Sequence, residues 1–352
     1  MVPQSVTATA VLDDLDRRIL HALQLAPRAP FARIAAVLAV SEQTVARRYQ
    51  RMRGQGLVRV LGRPDPYRMP GTNSWTLRIG CRPGTTAATA EALARRGDTA
   101  WVGIGAGGAE ITCQVDVPEA QGSREGLLHH LPRAANVLTF SAHQLLHRFV
   151  GRGEVDWIAA GHELSAGQRE QLTGQRAGPG EQPAGPGEQP AAGDDVRIEP
   201  SDAPLLRALA RDGRAAWAAL ASATGWTQRQ VAHRVTTLTG AGALWFDLDV
   251  AVTAIGFRAV ANLWFTVAPA HLASVGARLA DHPELAFAAA ITGSTNIMAT
   301  ALCRDAPALY RYLTTKVAAI GEVRTLETVP MTNRVKQAHF LVENGLLKDP
   351  PG

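Results

Sequence analysis

The sequence predicts an α+β protein in which one two-domain plan occurs twice on a single chain. Three observations carry this. The chain aligns with itself without gaps at an offset of 186 residues, over about residues 12 to 150. The opening stretch of each copy has helical periodicity. The stretch after it alternates strand and helix patterns in the order β-α-β-β-α-β.

Particular residues carry the repeat. Asp16, Ala22 and Leu23 fall on Asp202, Ala208 and Leu209, and Arg28 on Arg214. Val45-Ala46 falls on Val231-Ala232, Arg48 on Arg234 and Gly56 on Gly242. Further on, Leu77 falls on Leu263, Leu93 on Leu279, Gly107 on Gly293, Ile111 on Ile297 and Arg148 on Arg334. Between the copies, 151–197 is rich in Pro and Gly and spells AGPGEQP twice, at 177–183 and 184–190. It reads as a flexible spacer reaching roughly 35–40 Å, with one short helix between Ser165 and Leu172.

Composition narrows the class. Of 352 residues, 46% are hydrophobic and 19% charged, which excludes wholesale disorder. Lys and Arg total 36 against 31 acidic residues, a net charge of +5 that favours a polyanionic partner only mildly. Cys81, Cys113 and Cys303 lie far apart, so neither a disulfide framework nor a zinc knuckle is legible. A reducing, cytoplasmic location is expected. No signal peptide and no apolar run of about 18–20 residues is present, so no membrane partner is expected.

Residues 12–63 read as three short helices. Leu12, Leu15, Ile19, Leu20 and Leu23 share one face, with Asp13 and Asp14 in the first turn. Phe31, Ile34, Ala35 and Leu38 line a second helix. After a tight connection at Ala39-Val40, Ser41 caps a third, buried along Val45, Tyr49 and Met52 and ending at Gly54 or Gly56. Helix, short turn and capped helix with a basic outer face make a helix-turn-helix. Gln43 and Thr44 in the first turn, and Arg47, Arg48 and Arg51 on the outer face, are the candidate DNA contacts. Gln and Arg suit bidentate bonds to base edges, and Arg suits phosphates. The second domain, 198–249, offers Gln228, Arg229, Gln230, His233 and Arg234. The alternative is a solvated basic face. Window 12–63 holds ten Arg against four acidic residues, whereas 198–249 holds five against five. Salt-sensitive DNA binding is therefore expected mostly from copy one.

Residues 72–150 and 257–345 follow the βαββαβ, ferredoxin-like order. In the first, strands run at Trp75–Cys81, Val102–Ile104, Glu110–Val117 and Val137–Phe149, with helices at Thr86–Arg96 and Arg124–Leu131. In the second, Asn262–Val267, Phe287–Ile291, Asn296–Leu302 and Val323–Val335 are the strands, and Ala270–Ala280 and Ala306–Ile320 the helices. The full expectation is two helix-turn-helix domains and two ferredoxin-like domains on one chain.

This order, with Leu12-x-x-Leu15-Asp16-Arg17-Arg18-Ile19-Leu20 and the helix-turn-helix through Gly56-Leu57-Val58, resembles the Lrp/AsnC family of bacterial transcription regulators, twice over. The resemblance implies double-stranded DNA as partner, an intramolecular pseudo-dimer through the effector domains, and self-association. It also implies an amino acid or related small molecule as effector. Its ligand turn maps onto Gly107, Gly108 and Glu110 and onto Gly293, Ser294 and Asn296. The family commonly has Asp directly after its Gly, where this chain has Gly108 and Ser294.

Several other signals are set aside. Gly103-x-Gly105-x-x-Gly108 spells a dinucleotide pattern, but a strand follows it rather than a helix. His143 and His147 lack further ligands at matched spacing, so no metal is expected. Trp217 and Trp226 read as core. No catalytic constellation and no cofactor site is legible, so an enzyme is not expected. The rival reading is a metabolite-binding or scaffold protein with a partly vestigial DNA-binding domain.

Overall fold

The computed structural model describes residues 12–65, 68–69, 72–118, 126–150, 161–174 and 196–349. In the first copy the elements are Asp14–Leu25 (α1), Phe31–Leu38 (α2), Glu42–Gly54 (α3), Val58–Pro64 (β1), Thr72–Cys81 (β2), Thr86–Ala94 (α4), Thr99–Gly105 (β3), Glu110–Pro118 (β4), Leu127–His130 (α5) and Val137–Val150 (β5). Ala166–Thr173 (α6) lies between the copies. In the second copy they are Ala203–Arg211 (α7), Trp217–Thr224 (α8), Gln228–Gly240 (α9), Leu244–Val250 (β6), Ala259–Val267 (β7), Leu272–Ala280 (α10), Leu285–Ile291 (β8), Ile297–Cys303 (β9), Ala306–Tyr312 (α11) and Val323–Arg334 (β10). The short strands Lys336–Gln337 (β11), Phe340–Glu343 (β12) and Leu346–Lys348 (β13) follow. No helix among the described residues is long and apolar enough to cross a membrane.

These elements form two compact units whose sequences interleave. Ala8–Pro70 and Arg152–Ala251 hold both helix-turn-helix copies; Gly71–Gly151 and Val252–Gly352 hold both βαββαβ copies.

In the barrel unit the eight long strands close in the order β10-β3-β4-β2-β5-β8-β9-β7. Each copy contributes a four-stranded sheet, and the last strand of each pairs with the second strand of the other. The two junctions have the same register under the 186-residue offset. Leu145 faces Ile291 and Met331 faces Gly105; His147 faces Ala290 and Asn333 faces Ile104. Both junctions bulge at the same step. Closure leaves neither sheet an unpaired edge there. Side chains alternate across the first sheet. Leu77, Ile79, Val102, Ile104, Ile111, Cys113 and Val115 pack on Ala90 and Leu93 of α4. Within a second cluster, Leu145 of copy one packs with Trp264, Ala289, Ile291, Met298 and Val329 of copy two.

In the helix-turn-helix unit, Ile19, Leu23, Ile34, Val45 and Met52 are fully buried in copy one. Leu205, Leu209, Leu220, Val231 and Leu238 do the same in copy two. β1 and β6, which the sequence reading did not separate from their helices, form an antiparallel ribbon joining the copies. Leu61 pairs with Asp247, its own equivalent, so the pseudo-dyad passes through that pair.

Two expectations are corrected here. The stretch 161–174 of the supposed spacer is built into the first helix-turn-helix. Ser165 caps α6, Leu164 and Leu172 are buried, the Leu164 N–H donates to His21 Nδ1 at 2.9 Å, and Gln168 Nε2 donates to the Val37 carbonyl at 2.8 Å. The AGPGEQP pair and the start of the helix expected at Arg124 lie outside the described residues. The chain also continues past the second copy as the β11–β12–β13 meander. There Lys336 is buried and donates from Nζ to the Arg96 carbonyl at 2.6 Å.

Candidate nucleic-acid interface

Each third helix starts on a side-chain cap. Ser41 Oγ accepts from the Thr44 N–H at 3.1 Å, and Thr227 Oγ1 accepts from the Gln230 N–H at 3.2 Å. These caps satisfy donors that a helix start leaves orphaned and set the angle at which the chain enters. The turn before α3 needs a left-handed residue, which is Ala39 (φ 55°) in copy one and Gly225 (φ 73°) in copy two.

The caps occupy two of the residues expected to meet DNA. Gln230 Oε1 accepts from the Thr227 N–H at 2.9 Å, and Thr44 Oγ1 bonds Ser41 Oγ at 2.8 Å. Ion pairs occupy three more. Arg48 Nη1 binds Asp13 at 2.5 Å and Asp16 at 3.0 Å; Arg51 Nη2 binds Asp16 at 2.5 Å. In copy two, Arg234 binds both carboxylate oxygens of Asp202, at 2.8 and 2.6 Å. Asp16 and Asp202 are equivalent and both buried, so in each copy this arginine ties the third helix to the first. The Arg48 hydrogen bond holds the Asp13 carboxyl below its ordinary range. Burial pushes Asp202 up, but its bonds to Arg234 and the Glu199 N–H outweigh that and hold it low. Reading Arg48, Arg51, Arg234, Gln230 and Thr44 as uncommitted DNA contacts is corrected accordingly. Gln43, Arg47, Gln228, Arg229 and His233 are exposed and carry no side-chain bond to other described residues.

The charge excess of copy one is also largely committed. Arg53 binds Asp212 at 2.8 Å, and Arg63 binds Asp247 and Asp249 at 3.3 and 2.7 Å, all acidic residues of copy two. Arg59 donates to the Arg53 and Val58 carbonyls. Arg28, Arg53 and Arg63 of copy one thus reach across to copy two.

The two copies meet in a reciprocal clasp that the sequence reading missed. Arg28 donates to the Gly213 and Ala215 carbonyls at 2.7 and 3.3 Å, with its guanidinium 4.4 Å from the Trp217 ring. Arg214 donates to the Pro27 and Ala29 carbonyls at 2.6 and 2.9 Å, 4.2 Å from the Phe31 ring. Each hydrogen bond of one half has its equivalent in the other. Trp217, expected in the core, lies instead at the surface beneath Arg28. Burial, and then the neighbouring Arg214 charge, push the Arg28 pKa down. The signal was present: Arg28 and Arg214 coincide in the repeat although neither belongs to a helix face.

In the barrel, the candidate effector turns differ. Gly107 (φ 66°) and Gly108 (φ 98°) are open, with no atom near where a Cβ would sit. Glu110 is engaged by Arg78 at 2.8 and 3.0 Å. Arg78 also binds Glu327 at 2.7 and 2.8 Å and stacks 4.7 Å from the Trp264 ring. The Glu327 bond comes first among the causes that raise Arg78, and Arg78 in turn holds Glu327 low. A Cβ at Gly293 would lie 2.5 Å from His143 Nδ1, which itself contacts the Thr292 carbonyl at 2.7 Å. The Ser294 carbonyl accepts from Thr266 Oγ1 at 3.2 Å. The Asn296 side chain bridges Val267, accepting from its N–H at 2.9 Å and donating to its carbonyl at 2.7 Å. Glu110 and Asn296 are thus committed within the barrel, which corrects their reading as open ligand groups. Gly103 and Gly105 admit Met331, Pro330 and Val329 of β10, and β4 follows them, so the glycine pattern serves strand packing.

A family model for the AsnC-type helix-turn-helix domain matches residues 12–53 and 201–239, and one for the Lrp/AsnC ligand binding domain matches 260–339. An uncharacterised HTH-type transcriptional regulator of Pyrococcus furiosus is 30% identical over 128 residues, covering 86% of that protein and 36% of this chain. The chain belongs to the Lrp/AsnC family. A second relative, an uncharacterised HTH-type transcriptional regulator of Pyrococcus abyssi, is 27% identical over 148 residues, 94% of its length and 42% of this chain. Each relative thus corresponds to about one copy of this Lrp/AsnC protein. The crystal structure of the siroheme decarboxylase NirDL superposes over 93% of both chains with a TM-score of 0.60 at 11% identity. That likeness concerns the fold alone: the doubled Lrp/AsnC architecture over the whole chain.

Proposed function

We propose that the protein is a transcription regulator that binds double-stranded DNA through its paired helix-turn-helix domains, with a small-molecule effector acting on the barrel. One observation carries the reading. Two capped third helices, each with uncommitted polar side chains outward, belong to one clasped unit. Gln43 and Arg229 stand at equivalent first-turn positions, where a recognition helix meets base edges; Arg47 and His233 follow one turn later. Among the described residues of the two third helices, Arg47 and Arg229 are the arginines without an ion pair, and so available to phosphate or guanine. With the charge excess of copy one committed internally, both copies contribute to binding. The effector reading is supported by the ligand-binding-domain match and by the open Gly107–Gly108 turn. Association of several chains is the family expectation.

The test is a titration of the full chain against DNA from upstream of its own gene, with unrelated DNA of equal length as control, at several salt concentrations. A preference for the first fragment that persists near ~0.15 M salt is the expected result. Arg47→Ala and Arg229→Ala should each weaken binding and lower the salt slope by about one. Absence of binding to either DNA at low salt would refute the reading. An amino-acid screen on the same assay, followed by thermal shift, addresses the effector.

A further inference from the structure

We propose that this chain reads a non-palindromic operator, whose two arms differ in sequence because α3 and α9 address them with different side chains. The inference rests on the DNA-binding reading and adds the symmetry of the target.

The scaffold of the two helix-turn-helix domains is kept in duplicate. Arg48·Asp16 matches Arg234·Asp202, the Ser41 cap matches Thr227, and the Arg28 clasp matches Arg214. With Leu61 paired to its equivalent Asp247, the two domains are related by a pseudo-dyad. The outward residues are not kept. Glu42, Gln43, Arg47 and Gln50 of α3 are exposed, and their equivalents on α9 are Gln228, Arg229, His233 and Thr236, exposed as well. All four pairs differ, and they differ in chemistry. Gln suits adenine N6/N7 and Arg suits guanine O6/N7, so the first-turn position asks for different bases in the two arms. One turn later an Arg in one arm stands against an imidazole in the other.

The ribbon also disfavours two chains presenting two identical helices through this interface. In the observed pairing Arg59 faces Asp249, and Arg63 reaches Asp247 and Asp249. Pairing two first copies in the same register would set Arg59 opposite Arg63 twice. Pairing two second copies would set Asp247 against Asp247. Like charges directly opposite on a ladder are unfavourable, so each chain keeps one helix of each kind.

The experiment is in vitro selection from a random-sequence duplex library with the full chain. The expected motif has two dissimilar arms about one helical turn apart. Replacing either arm by the inverted copy of the other should weaken binding about tenfold or more. In parallel, a variant carrying Gln228→Glu, Arg229→Gln, His233→Arg and Thr236→Gln gives α9 the four outward residues Glu42, Gln43, Arg47 and Gln50 of α3. All four positions are exposed, so the fold is not at stake. This variant should select an inverted repeat. A palindromic motif from the unaltered chain would overturn the inference while leaving DNA binding intact, as would an unchanged motif from the variant. Failure to enrich any sequence, with no binding at low salt, would overturn the DNA-binding reading and this inference together.

Discussion

The helix-turn-helix pair and the barrel solve the same problem, joining two copies of one repeat, in different ways. In the clasp, equivalent residues make equivalent bonds. In the barrel the backbone register is equally symmetric, but the side chains inside are not. Arg78 and Trp264 occupy equivalent positions and touch each other, so they straddle the pseudo-dyad. A homodimer would have to place two arginines or two tryptophans there, with repulsion in the first case and excess volume in the second. Fusion on one chain permits one of each, with the ring face toward the cation. Ser141, the equivalent of Glu327, bonds His143 instead of a guanidinium. Symmetry survives where backbone carbonyls are the partners, and it lapses where two side chains must share the axis.

The largest expected effect tests that asymmetry in packing. Phe149 of copy one lies against Gly276 of α10, where an added Cβ would collide with its ring. The equivalent residues are Val335 and Ala90: a smaller side chain against a larger helix residue. Phe149→Ala should cost about 3–5 kcal/mol and Val335→Ala, only half buried, about 1 kcal/mol. Chemical denaturation of both variants measures this. Equal costs would show that the swap in size carries no energetic asymmetry.

The clasp should behave in the opposite way. Arg28→Ala and Arg214→Ala each remove two bonds to backbone carbonyls and two cation–ring contacts. Each should cost about 2 kcal/mol, and the two costs should agree within ~0.5 kcal/mol. Hydrogen exchange at the amides of β1 and β6 reports it, because those amides open when the copies part. A large difference would show that one half of the clasp carries the joint.

Much of this architecture was legible beforehand, for reasons that also mark the limit. Helix spans, the Ser41 cap and the βαββαβ order are local, written in periodicity and in cap chemistry. The repeat then supplied the pairing of domains. What a helix face touches is not local. Arg48 looked outward by periodicity, yet its partners Asp13 and Asp16 sit some thirty residues earlier, on another helix. The hint was that Asp16 and Arg48 recur together as Asp202 and Arg234, as an ion pair would. The helix α6 was expected, but its docking escaped: Leu164 and Leu172, which anchor it on the first helix-turn-helix, stand just before a Pro/Gly stretch that makes the whole segment read as spacer. The ribbon escaped because seven residues of mixed polarity acquire meaning only beside their partner strand.

Acid should loosen the helix-turn-helix pair through those same carboxylates. Asp202 and Asp13 titrate below the ordinary aspartate range when folded. The unfolded chain therefore binds their protons first. Their contribution is full above the unfolded value of about 3.9, and it is lost as pH falls through the lower folded values. Circular dichroism across about pH 5 to 2 should show falling stability. Asp202→Asn should flatten that slope more than Asp13→Asn, because Asp202 is buried and Asp13 half exposed. An unchanged slope in Asp202→Asn would mean that the Arg234 pair does not couple folding to protons.

The smallest effect concerns the turn before each recognition helix. Ala39 and Gly225 are equivalent, both left-handed and both solvent-facing. An L side chain in that conformation costs about 1–2 kcal/mol, and glycine's extra freedom in the unfolded chain returns about 0.4–1 kcal/mol of that difference. Ala39→Gly should therefore stabilise copy one by about 0.5–1 kcal/mol, and Gly225→Ala should destabilise copy two by a similar amount. No atom lies near where a Cβ at Gly225 would sit, so conformation alone decides the sign. Opposite shifts in thermal midpoint would confirm it. Shifts of the same sign would mean that the two turns, alike in backbone, are held by different surroundings, and the clasped pair would be less symmetric than its hydrogen bonds indicate.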